Sequence, residues 1–157
     1  MHTWFECKIR YEKTMENGMQ KKVTEPYLVD ALSFTEAEAR IIEEMTPFIT
    51  GEFTVSDIKR ANYSELFPSD EESADRWFKC KLIFITLDEK SGAEKKTSTQ
   101  VLVQAADLRD AVKKLDEGMK GTMADYQIGM VSETPLMDVY PYSAEPNDKP
   151  EFDPSKA

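Results

Sequence analysis

The sequence predicts an α+β fold made by internal duplication. Two β-β-α-β units, related by a pseudo-twofold, would form a mainly antiparallel sheet with two helices on one face. Three observations carry this. Trp4-Phe5-Glu6-Cys7-Lys8-Ile9 returns as Trp77-Phe78-Lys79-Cys80-Lys81-Leu82, the echo keeps its spacing through most of the chain, and each copy reads strand, strand, helix, strand. The spacing is 73 positions at Trp4 and Trp77. One inserted turn residue moves it to 74, where Gly18, Leu28, Ala37 and Met45 meet Gly92, Leu102, Ala111 and Met119. It returns to 73 where Val55 meets Ile128, Phe67 meets Tyr140 and Pro68 meets Pro141. Chance matches of scattered hydrophobics would not respect two single-residue shifts placed in loops.

Each element has a local reason. Phe5, Cys7, Ile9 and Tyr11 alternate with Glu6, Lys8, Arg10 and Glu12, the period of a half-buried strand. Glu16-Asn17-Gly18 supplies a turn that accepts positive φ, and Thr24 to Leu32 reads as the returning strand of a hairpin. Ser33 and Glu36 form a capping box that opens a helix, in which Phe34, Ala37, Ile41, Met45 and Phe48 make the apolar stripe. Pro47 is expected to bend this helix and Gly51 to end it. In the second copy Asp107 is the cap, Leu108, Ala111, Val112, Leu115 and Met119 the stripe, and Gly118 and Gly121 the stop. Third strands follow at Glu52 to about Arg60 and Asp125 to about Glu133, with a bulge expected between Val55 and Ile58.

These elements divide the chain into a first repeat at 1–68, an acidic linker at 69–76, a second repeat at 77–142 and an acidic tail at 143–157. Halves of this size are marginal alone, so 1–142 is expected to fold as a single globular unit with one fused core. The net charge of −10 is uneven: the linker carries four carboxylates against Arg76, and the tail four against two lysines. Both segments offer little apolar surface to offset ordering entropy and read as solvated.

Composition excludes more chemistry than it suggests. His2 is the only histidine, so no multi-histidine metal site or histidine-based triad can form. There is no glycine-rich phosphate loop and no calcium-loop pattern, and no cofactor is indicated. Cys7 and Cys80 fall on the apolar strand faces and read as small core residues rather than nucleophiles. No catalytic residue can be named, and the chain reads as non-catalytic, although an acid/base pair from distant carboxylates is not visible in one sequence. With no signal segment, no membrane-spanning stretch and two cysteines in no framework spacing, the expected location is cytoplasmic, with no membrane partner.

One surface invites a function. Opposite the Phe5 and Phe78 faces lie Trp4, Lys8 and Arg10 in one copy and Trp77, Lys79 and Lys81 in the other, with Glu6 the one carboxylate among them. Tryptophan interleaved with lysine and arginine on a sheet is how single-stranded nucleic-acid platforms combine base stacking with phosphate contacts. Lys21-Lys22 and Lys95-Lys96 add two basic pairs. The competing reading is that both indoles are amphipathic cover under solvated lysine stems, and the overall acidity favours it.

The run Trp4-Phe5-Glu6-Cys7-Lys8, with the later Lys21 to Arg40 segment Lys-Lys-Val-Thr-Glu-Pro-Tyr-Leu-Val-Asp-Ala-Leu-Ser-Phe-Thr-Glu-Ala-Glu-Ala-Arg, resembles a domain-of-unknown-function family of small proteins from gut anaerobic bacteria and their phages. The resemblance spans Thr3 to about Tyr142 and implies a cytoplasmic accessory protein, with no activity, cofactor or site residue to carry over. The leading expectation is a protein-protein adaptor using the pseudo-symmetric sheet face, a strand edge or the tail around Phe152. Single-stranded nucleic-acid binding is the alternative, an acidic decoy of a nucleic-acid-binding partner a further one, and an enzyme of unrecognised type the last.

Overall fold

The computed structural model describes residues 3–122 and 125–141; His2 and the tail from Ser143, with Phe152, lie outside them. The described elements are β1 (Trp4–Thr14), β2 (Gln20–Asp30), α1 (Phe34–Met45), β3 (Phe53–Ala61), β4 (Glu65–Phe67), β5 (Arg76–Leu87), β6 (Glu94–Ala105), α2 (Leu108–Gly118), β7 (Tyr126–Glu133) and β8 (Asp138–Tyr140). This is a mixed α+β structure.

The described residues divide into two compact units, one running up to Ala61 and taking in Asp138 to Pro141, the other lying within Asn62 to Met137. In the first, β1 lies between β3 and β2, antiparallel to both, and β8 joins the outer side of β2 in parallel, Leu28 opposite Val139. In the second, β5 lies between β7 and β6, and β4 joins β6 in parallel, Leu66 opposite Leu102. The strand that closes each sheet therefore comes from the other half of the sequence.

The single sheet expected from the sequence is corrected on this point. In place of six strands with both helices on one face there are two four-stranded sheets, each with its own helix. The cause is β4 and β8, three residues each, too short to show an alternating pattern and paired to strands far away in the sequence. The apolar residues likewise form two clusters. Phe5, Cys7, Ile9 and Val29 meet Ala37, Ile41 and Met45 of α1 in one, and Phe78, Cys80, Leu82 and Val103 meet Ala111 and Leu115 of α2 in the other.

The helix starts follow their caps. Ser33 Oγ accepts from Glu36 N at 3.1 Å while Glu36 Oε1 accepts from Leu32 N at 2.8 Å. Asp107 and Asp110 repeat the arrangement, with Asp110 N to Asp107 Oδ1 at 2.8 Å and Ala106 N to Asp110 Oδ2 at 2.9 Å. The end of α1 differs from expectation, since it stops at Met45 rather than bending on towards Gly51. Thr46 keeps helical φ and ψ and its N–H donates to Ile42 O, but Pro47 has no N–H to continue the ladder. Phe48 consequently leaves the stripe and stands 77% exposed. Phe34 stays half exposed with its ring edge-on to Phe5 at 4.9 Å.

The bulge falls at Ser56, whose hydroxyl donates to Lys8 O at 3.3 Å, and its counterpart at Gly129. The acidic linker is more tied down than a solvated spacer. Ala74 is buried, Ser69 N donates to Gln104 Oε1 at 2.9 Å, and Lys114 Nζ holds both Ser69 Oγ and Glu71 Oε1 at 3.0 Å. In the other unit Arg40 does the same work, donating to Pro141 O at 3.3 Å and to Asp30 O.

Ile41 is fully buried under α1 while the neighbouring Ile42 is 41% exposed. Ile41→Ala is expected to cost about 2–5 kcal/mol in urea unfolding, and Ile42→Ala well under about 1 kcal/mol. Equal losses would show that α1 does not pack by this stripe.

Candidate functional site

The sheet face turned away from each helix is where the sequence placed the Trp/Lys/Arg surface. In the first unit, Trp4, Glu6, Lys8 and Arg10 share that face with Asp30, Pro26 and Thr24 of β2 and with Lys59, Asp57 and Thr54 of β3. Trp4 is only 3% exposed, Lys8 is half-buried and Arg10 is exposed. The expected excess of positive charge is absent here, because Glu6, Asp57 and Asp30 stand among Lys8, Arg10 and Lys59. Lys59 Nζ lies 4.0 Å from Glu6 Oε2, and Asp57 is directly opposite Lys8.

In the second unit Trp77 is 5% exposed, Lys79 half-buried and Lys81 exposed. The residues opposite these lysines are Leu102, Gln100, Ser132 and Met130, none of them acidic. Neither indole thus offers an open ring for base stacking, which corrects the platform reading of Trp4 and Trp77. An indole carries roughly 150–250 Å² of largely apolar surface, and covering it outweighs presenting it to water. Lys81 instead borders a polar cleft of about 320 Å³ with Asn62, Ser98, Thr99 and Gln100.

The helix-facing sides hold two features that sequence reasoning missed. In the first unit Tyr11 and Tyr27 both donate to Glu25 Oε1, at 2.9 and 3.3 Å, while Lys13 Nζ lies 3.6 Å from Oε2. Tyr27 also stacks on Tyr140 of β8, with ring centroids 6.2 Å apart and planes 20° apart. Burial, then the hydrogen bond and charge of Glu25, push the Tyr11 phenol up to about 12. Burial, then the charges of Asp138 and Glu44, do the same for Tyr140, also to about 12. Tyr27 is raised as well, by burial first and then by Glu25 and Tyr11.

In the second unit, the places of Tyr11, Glu25, Tyr27 and Tyr140 are taken by Phe84, Thr99, Val101 and Phe67. Val101 stands opposite Cys80 and Glu65 as Tyr27 stands opposite Cys7 and Asp138. Here an open groove of about 410 Å³ runs between the sheet and the C-terminal end of α2, lined by Phe67, Leu82, Phe84, Val101 and Met119 with Ser64, Glu65, Thr99 and Thr122. The signal that could have found it is the difference between the two halves of the sequence at these four positions.

Nothing in either unit assembles a reactive centre from the cysteines. Burial pushes the Cys7 thiol up to about 12, aided by the charges of Glu6 and Asp57, and pushes Cys80 up to about 11. Both are buried beneath a helix and unreactive as thiols at neutral pH. Among the described residues no cluster of three or more His, Cys, Asp or Glu is placed to hold a metal ion, and no helix is long and apolar enough to cross a membrane.

Two helix-covered sheets, each closed by a short parallel strand from the other half of the sequence, define the class: an α+β domain of two compact units. The chain belongs to the DUF4494 family, a domain of unknown function whose family model matches residues 3–142. No curated protein and no solved structure matches it.

The tyrosine cluster fixes a pH dependence. Its folded-state values lie above the ordinary phenol value of 10.0, so its stabilising contribution is complete below pH 10 and is lost as pH rises through about 12. Thermal melts from pH 9 to 12 should show a fall in Tm that is shallower in a Tyr11→Phe/Tyr27→Phe variant. Parallel curves would remove the cluster from alkaline unfolding.

Proposed function

We propose that the chain is a non-catalytic binding module, made by internal duplication, that engages a protein partner by strand addition along β7. Duplication is supported by the register. Bulges fall at Lys8/Ile9 and Lys81/Leu82, 73 positions apart, and the parallel strands join at Leu28 and Leu102, 74 apart. A cytoplasmic accessory role fits two free, buried thiols.

The observation that carries the partner mode is the character of the outer strands. An unpaired strand edge is a template for another chain, and proteins guard it with charge, proline or twist. On the outer strand β3, Asp57, Lys59 and Arg60 supply charge. On β7, Tyr126–Glu133, the same role falls to Glu133 alone, and Met130 is 43% exposed. Among the described residues no strand pairs with the outer side of β7.

A selection of displayed peptides on the immobilised protein should yield extended, β-branched sequences whose binding slows amide exchange along β7. Met130→Lys should weaken that binding by at least about tenfold, as like-strand addition is blocked by an edge charge. Binding unaffected by Met130→Lys, with protection elsewhere, would refute strand addition here.

A second reading has one observation in its favour: the Lys79 and Lys81 face of the second unit has no carboxylate directly opposite, and Lys81 borders a cleft of amides and hydroxyls. That suits phosphate contacts of a single strand without base stacking. A labelled oligothymidylate should then bind at low salt, weaken steeply with added salt and be lost in Lys81→Glu. Absence of binding at low salt would end this reading.

A further inference from the structure

The two units are built on one plan, yet they part at the space between the sheet and the C-terminal end of the helix. In the first, the Tyr27 ring rises from β2, stacks on Tyr140 and sends its hydroxyl to Glu25 at 3.3 Å. In the second, Val101 stands in the place of Tyr27, Thr99 in that of Glu25, and Phe67 in that of Tyr140. The aromatic wall and the polar group beyond it are kept, while the ring between them is absent from the chain. Phe67 is held down as that wall by Gly118: a Cβ at 118 would lie 2.8 Å from its ring carbons, so the ring occupies the room a side chain would need. The groove of about 410 Å³ is in the range of small-molecule sites, which are apolar with a few polar groups that fix orientation. Its one charged lining residue is Glu65, which disfavours an anionic occupant.

We propose that this groove binds a free small molecule with a planar aromatic ring and a polar substituent, uncharged or cationic, with the ring over Val101 against Phe67 and its polar end at Thr99. The first unit carries this occupant covalently, as Tyr27. An apolar cavity of about 150 Å³ already accepts a benzene ring, so space does not limit a phenol. The hydroxyl of Thr99 supplies the partner that Glu25 supplies to Tyr27. The proposal is independent of strand addition at β7, and either can fail without the other.

The test is saturation-transfer NMR on the full chain with tyramine, p-cresol and 4-hydroxyphenylacetate, with Kd values from titration. Tyramine and p-cresol should bind, and 4-hydroxyphenylacetate at least about fivefold more weakly, as Glu65 repels its carboxylate. Val101→Tyr, which places in the groove the side chain the first unit has, should abolish binding with the far-UV circular dichroism unchanged. Should that variant misfold, Thr99→Trp at the half-buried rim blocks the same space and should also abolish binding. A capped peptide with a central tyrosine should bind more weakly than tyramine. Absence of transfer to all three compounds, binding that survives a folded Val101→Tyr or Thr99→Trp variant, or a preference for the peptide would each overturn the proposal.

Discussion

Each unit depends on a central strand flanked on both sides, with its Phe-Cys-aliphatic stripe laid beneath a single helix. β1 and β5 pair antiparallel with both neighbours, which satisfies their backbone groups on either edge. Phe5, Cys7 and Ile9, and Phe78, Cys80 and Leu82, are then free to bury almost completely. Cysteine at the middle of each stripe is a small residue that packs in the cluster beneath the helix, opposite Tyr27 in one sheet and Val101 in the other. The alanines Ala37 and Ala111 on the facing helix surfaces have the same effect from above. Ordering a residue costs about 1–2 kcal/mol, and units this small offset that only through such close burial.

The short parallel strands complete the arrangement. β8 and β4 cover the outer side of β2 and β6 where those strands carry Leu28 and Leu102, both fully buried. The chain must therefore pass between units twice, after Ala61 and after Met137. Arg40 and Lys114, each on the helix of its unit, grip the segments that follow the short strands. The acidic stretch after Phe67 is bound into this device, with Lys114 bridging Glu71 and Asp110 at 3.0 and 3.1 Å.

Similarity of plan makes the differences informative. Where both units keep the same residue types, at the caps, bulges and core stripes, the role is packing. Where they part, the first unit uses the position for an internal hydrogen bond or ring contact. In the first unit Tyr11 and Tyr27 donate to Glu25, and Tyr27 stacks on Tyr140. Phe84, Val101 and Phe67 around Thr99 leave the same region open in the second. The lysine-bearing faces diverge as well, balanced by Glu6, Asp30 and Asp57 in the first and facing neutral residues in the second.

Much of this was legible in the sequence because it is local. Alternation along Phe5 to Tyr11, the Ser33-Glu36 capping box, the Asp107 cap, the stripe from Ala37 to Met45 and the irregularity after Val55 all act within a few residues. Gly18 and Gly92, at φ of 83° and 69°, mark the hairpin turns for the same reason. The near-complete burial of Trp4 and Trp77 was legible only as a choice between two readings, since strand alternation says which face a side chain takes but not whether that face meets water. Nor was the destination of Glu65–Phe67 and Asp138–Tyr140, because three residues carry no period and their partners lie tens of positions away. By itself the sequence determined the six longer strands and two helices, their order, the helix caps and the two apolar stripes, all products of short-range sterics and hydrogen bonding. Only the tertiary structure decided that the strands form two sheets rather than one, that both indoles are covered, and that a groove opens beside Val101. Those outcomes rest on long-range pairing and on the volume of side chains that meet only after the chain has folded.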